Sequence, residues 1–271
     1  MPLSVLRALE ELSMFKYCVY LLIAGLVACN QPDPNTLKIG TIAGPETKLV
    51  EVARRVAQQN YGLKIKIVEF NDYRLPNEAL QDGSIDANIY QHQPYLQSTM
   101  EHQHYDLVVI GKTFIYPTGI YSKKYTALAD LPKHALIALP NDPSNAARAL
   151  KLLQKAQLIR LNHNPLPSLK DMTQNAKQLR FKALDAAQLA RVLPDVDAAV
   201  INTTFALPAK LLPTVDALFI ESQDSPYANL IVTKKAHPKM HLLKQFVQTM
   251  NSNEVKNEAN TLFKGAAVPA W

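Results

Sequence analysis

The stretch LKIGTIAGPETKLVEVARRVAQQNYGLKIKIVEF, residues 37–70, decides the fold class. Leu37 to Ile42 alternates and is β-branched, as a strand should be. Glu46 to Gln59 then carries apolar residues at Leu49, Val50, Ala53, Val56 and Ala57, a helical spacing, and Gly62 closes the helix before Leu63 to Phe70 alternates again. This β-α-β unit favours a parallel sheet with helices packed on it. Further strands are expected at Ala87–Tyr90, Leu107–Phe114, Ala135–Leu139, Leu179–Lys182, Ala198–Ile201, Ala217–Ile220 and Leu230–Val232, so the pattern is α/β throughout. At 271 residues with 48% hydrophobic content the chain suits two lobes rather than one core.

Upstream of that unit, Tyr17 to Ala28 is an apolar run preceded by Lys16 and ended by small residues, the layout of a secretory signal. It is about a dozen residues, where a bilayer span needs ~20. Glu10 and Glu11 are unusual in a signal's basic leader, which makes Met14 an alternative start. The run ends in Leu26-Val27-Ala28-Cys29, which resembles the bacterial lipobox; that resemblance implies a lipid on Cys29 and a membrane-tethered protein facing the periplasm or the cell exterior. The prolines and polar residues of Asn30 to Asn35 read as a tether. The only other cysteine is Cys18, so the mature body has no disulfide and no thiolate nucleophile.

The formal net charge of +6 is scattered, with no basic stripe interleaved with aromatics, and no nucleic-acid partner is expected. No nucleotide-binding, nucleophile-elbow or zinc-protease motif occurs. His102 and His104 are the nearest approach to a ligand pair, and a zinc site needs three or four ligands, so neither metal nor other cofactor is expected.

Three groups fall at the ends of expected strands, where open α/β sheets present ligand-contacting loops: Phe70 to Tyr73, Asn88 to Tyr95, and Phe114 to Pro117. As a set they read as a pocket wall. Asp142-Pro143-Ser144 reads as a helix start with a capping side chain and a first-turn proline, which puts Arg148 one turn in, close to a cleft mouth. Read singly, Arg148 is equally a surface helix residue, Asn202 a helix cap and Asn229 a turn residue.

Together the motifs FNDY (70–73), LPNEAL (75–80), DAN (86–88), QHQPY (91–95), YSKK (121–124), NDPSN (141–145), INTT (201–204) and SPYANLIV (225–232) resemble the NlpA/MetQ family of methionine-binding lipoproteins. The resemblance runs from about Leu37 to Trp271, with a departure over residues 161–177. It implies a two-lobed type II periplasmic-binding-protein fold with crossover strands, residues 37–116 plus 226–271 forming lobe 1 and 117–225 lobe 2, after a signal peptide over 1–28 and a lipidated tether over 29–36. It also implies a non-catalytic receptor that passes L-methionine, or D-methionine, methionine sulfoxide or a methionyl dipeptide, to the permease and ATPase subunits of an ABC importer. An enzyme or a surface adhesin on the same scaffold is the alternative.

The family pattern sets Arg148, Asn202 and Asn229 against the amino-acid backbone, with Asn145 and Tyr116 nearby. Tyr73, Tyr90, His92 and Tyr95 surround the side chain, Tyr90 standing where the family more often has phenylalanine. The chemistry agrees: a guanidinium can hold a carboxylate through two parallel hydrogen bonds, an asparagine offers both donor and acceptor to either end of a zwitterion, and aromatic walls favour a thioether by about 0.3–1.5 kcal/mol beyond its burial.

Overall fold

In the computed structural model the β-α-β unit forms where the sequence places it. The structure describes residues 34–271, so the signal segment, Cys29 and most of the tether lie outside the described residues. β1 (Thr36–Ile42) leads to α1 (Pro45–Tyr61), β2 (Lys64–Phe70), α2 (Leu75–Asp82), β3 (Ala87–His92), α3 (Gln93–Gln103) and β4 (Leu107–Ile115). Helix α1 starts on Pro45 and stops at Gly62, whose left-handed φ of 61° lets its N–H reach the Ala57 and Gln58 carbonyls. Its apolar face, Leu49, Val50, Ala53 and Ala57, is fully buried against the sheet.

The chain then crosses to a second sheet through β5 (Gly119–Tyr121), β6 (Leu136–Pro140), α4 (Pro143–Lys155), β7 (Arg160–Leu161), β8 (Met172–Gln174), β9 (Arg180–Leu184), α5 (Leu189–Val192), β10 (Ala198–Ile201), α6 (Thr203–Ala206), α7 (Pro213–Asp216) and β11 (Phe219–Ile220). It returns as β12 (Ala228–Lys234), α8 (Met240–Met250), α9 (Asn253–Phe263) and β13 (Val268–Pro269). The result is a six-stranded sheet ordered β13-β4-β12-β3-β1-β2 and a five-stranded sheet ordered β11-β5-β10-β6-β9, with β7 and β8 forming a separate ribbon. Each large sheet has its own apolar core, one centred on Leu37, Ile89, Phe114 and Phe246, the other on Ile137, Leu153 and Val200. Two sheets make two lobes.

Neither large sheet is wholly parallel. β3 runs parallel to β1, but β12 is inserted antiparallel between β3 and β4 because it carries the chain back from the second lobe. That insertion sets Asn229 opposite His92, in register across the sheet. The connections at 116–118 and 221–227 therefore lie side by side, and the Glu221 N–H donates to the Thr118 carbonyl at 2.9 Å. Gly119 is required here, since a Cβ would sit 2.8 Å from the Tyr121 ring.

Candidate functional site

Strand ends from both sheets converge on one narrow cavity, with about 340 Å3 of non-atom space counting its mouth. Tyr73, Tyr90, His92, Tyr95 and Tyr116 border it from the first sheet, Asn145, Arg148 and Asn202 from the second, and Asn229 from the returning strand. All nine residues singled out in the sequence thus meet in one place.

The aromatic part is built on a buried amide network beneath it. Asn77 and Gln91 exchange side-chain hydrogen bonds at 2.9 and 2.7 Å, and Asn88 donates to Asn77 Oδ1 at 2.9 Å. These ties hold the start of α2 on β3, and so fix the loop that carries Tyr73. The Tyr95 hydroxyl donates to the Tyr73 carbonyl at 2.8 Å. Tyr73 lies 5.8 Å from Tyr90, and the Tyr90 and Tyr95 rings meet edge to face at 5.9 Å. From the other lobe, the half-buried Phe205 packs on Tyr73 with ring centroids 4.9 Å apart, while Thr203 and Thr204 border the cavity itself. The Tyr90 hydroxyl is buried without a hydrogen-bond partner among the described residues, an atom that phenylalanine would not bring.

His92 caps α3. Its Nδ1 accepts from the Tyr95 N–H at 3.3 Å, which places the ring proton on Nε2, where it donates to Asn145 Oδ1 at 3.2 Å across the cleft. Burial, and then the nearby Arg148 charge, push the His92 pKa down to about 3. The ring is therefore neutral at physiological pH and serves as a fixed donor between the lobes.

Helix α4 begins as the sequence indicates, with Asp142 Oδ1 accepting from the Asn145 N–H at 2.9 Å and Pro143 in the first turn. Arg148 then projects into the hinge and is only 4% exposed. Its Nε donates to Glu221 Oε1 and Oε2 at 3.1 and 3.2 Å, and its Nη2 donates to Glu221 Oε2 and, at 3.0 Å, to the Tyr116 carbonyl. The Tyr227 ring lies under the guanidinium, 4.3 Å from Cζ. The two-nitrogen fork expected for a ligand carboxylate is thus occupied by Glu221. Among the described residues Nη1 makes no hydrogen bond, and it is the nitrogen left to meet a carboxylate.

Asn202 stands at the N-cap position of α6, yet its side chain does not cap that helix. Its Nδ2 donates instead to Asn145 Oδ1 at 2.9 Å. Asn229 Nδ2 points to Glu46 Oε1 and Oε2 at 3.3 and 3.4 Å. Glu46 is 3% exposed, and burial pushes its pKa up to about 8 against the lesser, opposite pull of Asn229 and Tyr116.

Sequence reasoning missed Glu46 and Glu221, which hold Asn229 and Arg148, and Thr203 and Thr204, which border the cavity. Glu221 is 73 residues from Arg148 and Glu46 is 183 from Asn229, and no local spacing announces either pairing. Neither His102 nor His104 borders the cavity, and among the described residues no cluster of three or more His, Cys, Asp or Glu is arranged to hold a metal ion.

The chain is similar to lipoproteins and to periplasmic substrate-binding proteins. The profile of the NlpA lipoprotein family matches residues 37–271. The D-methionine-binding lipoprotein MetQ of Salmonella typhi is 47% identical over 252 residues, covering 91% of this chain and 93% of the relative. A periplasmic substrate-binding protein of an ABC transporter from Coxiella burnetii is 51% identical and superposes with a TM-score of 0.85, covering 86% of this chain and all of that one. A nutrient-binding protein from Burkholderia cenocepacia, solved with methionine bound, is 47% identical with a TM-score of 0.84, covering 87% of this chain and 100% of that one.

Proposed function

The chain belongs to the NlpA lipoprotein family, and from that premise we propose that it is an extracytoplasmic receptor that captures L-methionine between its two lobes and delivers it to an ABC importer. It is a binding protein and not an enzyme. The observation that carries the reading is the continuity of the cavity, where an aromatic cage opens onto a guanidinium nitrogen and amide oxygens. A zwitterion with an apolar tail has that shape of charge.

In this reading Arg148 Nη1 donates to the ligand carboxylate, and the amides of Asn202 and Asn229 meet the ammonium. The thioether lies among Tyr73, Tyr90 and Tyr95, where burial contributes about 1.5–3 kcal/mol and sulfur–aromatic contact somewhat more. Lobe 1 comprises residues 37–116 plus 226–271 and lobe 2 residues 117–225, so the ligand touches both lobes only when they are closed. His92 donating to Asn145 holds the closed edge, and Asn202, donating to the same oxygen from within lobe 2, keeps Asn145 turned to receive it. A lipid on Cys29 anchors the receptor, since several acyl chains hold where one does not, and residues 29–36 tether it to the membrane.

Mass spectrometry of small molecules released from the purified protein tests this directly. Methionine, its D-isomer, its sulfoxide or a methionyl dipeptide is expected. Release of no sulfur amino acid, or undiminished binding in Arg148→Ala and Asn229→Ala, would refute it.

A further inference from the structure

The polar half of the cavity has a direction, set by a carboxyl group at each end that accepts from an asparagine NH2. At one end the Asp142 carboxylate receives the Asn145 Nδ2 hydrogens, at 3.0 Å to each oxygen. That orientation turns Asn145 Oδ1 outward, where it accepts from both Asn202 Nδ2 and His92 Nε2. Asn202 is thereby committed as a donor, and its Oδ1 is left buried without a partner among the described residues. At the other end the Glu46 carboxyl receives Asn229 Nδ2, and Asn229 Oδ1 makes no hydrogen bond among the described residues. Both asparagines consequently offer oxygens, which suits a cationic donor and not a carboxylate.

The charges point the same way. Glu221 already balances Arg148, so a ligand carboxylate meets a guanidinium whose charge is largely compensated. Glu46 has no such balance. The groups that act on it are the Asn229 amide from β12 and, from the end of β4, the Tyr116 hydroxyl, which lies near the carboxyl without a well-aligned hydrogen bond; neither is a cation. Tyr73, across the cavity, senses its charge.

We propose that Glu46, standing behind Asn229, is the positioning residue that makes the site select ligands with a free α-ammonium. It holds Asn229 with its oxygen to the ligand, and its ionised carboxylate is the countercharge of the ammonium. This rests on the methionine-binding reading of the same cavity. A protonated Glu46 could instead donate to Asn229 Oδ1 and present the NH2 to the ligand, which an ammonium would oppose. Since burial raises the carboxyl to about 8, the empty site at pH 7 holds it protonated; on binding the zwitterion, the O–H bond of Glu46 breaks and the proton leaves to solvent.

Calorimetry of ligand-stripped protein in two buffers of different ionisation enthalpy tests this at pH 7. L-Methionine is expected to release up to about one proton per ligand, and its des-amino analogue 4-(methylthio)butanoate none. Glu46→Gln abolishes the release and weakens L-methionine about tenfold or more, while the des-amino analogue changes by no more than about twofold, because the variant removes only the charge-assisted interaction with the ammonium. Equal losses for both ligands, or an undiminished proton release in the variant, would overturn the proposal. Should the variant fail to fold, the wild-type comparison decides, since equal proton release with both ligands, or none with L-methionine, also overturns it. A wild-type protein that binds no methionine contradicts the function itself, a separate outcome.

Discussion

Replacing Glu221 by alanine removes one half of an ion pair whose side chains are 5% and 6% exposed. Burying two charges is expensive, so the pair itself contributes little net stability; breaking it is different, because Arg148 is then left buried with its charge uncompensated. The expected cost is about 3–5 kcal/mol. The same change removes the Glu221 acceptor for the Thr118 N–H, which loosens the two crossover segments where they run together. For a body of this size each kcal/mol moves the melting temperature by roughly 2–4 °C, so thermal denaturation of the ligand-free variant is expected about 6–20 °C lower. L-Methionine is expected to recover part of that loss, because its carboxylate supplies the missing negative charge beside the guanidinium. The thermal shift on adding saturating ligand is therefore larger in Glu221→Ala than in the wild type. Replacing both residues by apolar ones, Arg148→Met with Glu221→Leu, costs less stability than Glu221→Ala alone and still abolishes binding. A ligand-free destabilisation below about 1 kcal/mol, the size expected of an exposed pair, would refute the description of this hinge.

Three further outcomes follow from the geometry. Gly44 has φ 142° and ψ −144°, a region essentially confined to glycine, and a Cβ there would meet Pro208 at 3.4 Å; Gly44→Ala is expected to cost about 1–3 kcal/mol in chemical denaturation, and a neutral result would contradict the turn that presents Glu46. Phe205→Ala removes the ring that packs on Tyr73 from the other lobe, and calorimetric affinity for L-methionine should fall roughly two- to tenfold with little change in the proton count, since an aromatic pair that holds a cavity wall in place is worth ~0.5–1.5 kcal/mol. The pH dependence of ligand-free stability has two arms. His92 has a folded pKa of about 3, below its ordinary 6.5, so the unfolded chain binds more protons and stability is lost as pH falls from about 6.5 toward 3. Glu46 has a folded pKa of about 8, above its ordinary 4.5, so the folded protein binds more protons and stability is lost as pH rises from about 4.5 to 8. The slopes, about 1.4 kcal/mol per pH unit for each group, oppose between about pH 4.5 and 6.5 and leave a plateau there. Denaturant midpoints across pH 3–9 check it, and Glu46→Gln should flatten the alkaline arm and turn the plateau into a continuation of the acid arm up to about pH 6.5.

Much of this architecture is legible in the chain because its long elements carry strong periodicity. The helix expected from Glu46 to Gln59 is observed as Pro45–Tyr61, and the proline and glycine at its ends explain both limits. The strands β5 and β13 were not legible, since three and two residues are too few to show alternation and their pairing is set by the crossover and the C-terminal return. The antiparallel insertion of β12 was missed for a related reason, because pairing direction depends on where the chain comes from and not on its local composition. The aromatics of the cavity could be found because each lies in the last residues of a strand or in the segment just after it, at a sheet end. Glu46 and Glu221 could not, as a lone acidic residue beside a turn reads as solvated surface, and only the closed fold brings each against a buried partner. The carboxylate fork expected of Arg148 was wrong in detail for the same cause, the acceptor being supplied by the protein itself.

This cavity is expected to hold methionine by its charged end as well as its thioether. Calorimetric titration of the ligand-stripped protein with L-methionine, beside Arg148→Ala at the same concentration, tests it most directly. One molecule bound per chain with a negative heat-capacity change, and at least about a hundredfold weaker binding in the variant, is the predicted result. No heat with L-methionine, or equal affinity in the two proteins, would contradict it.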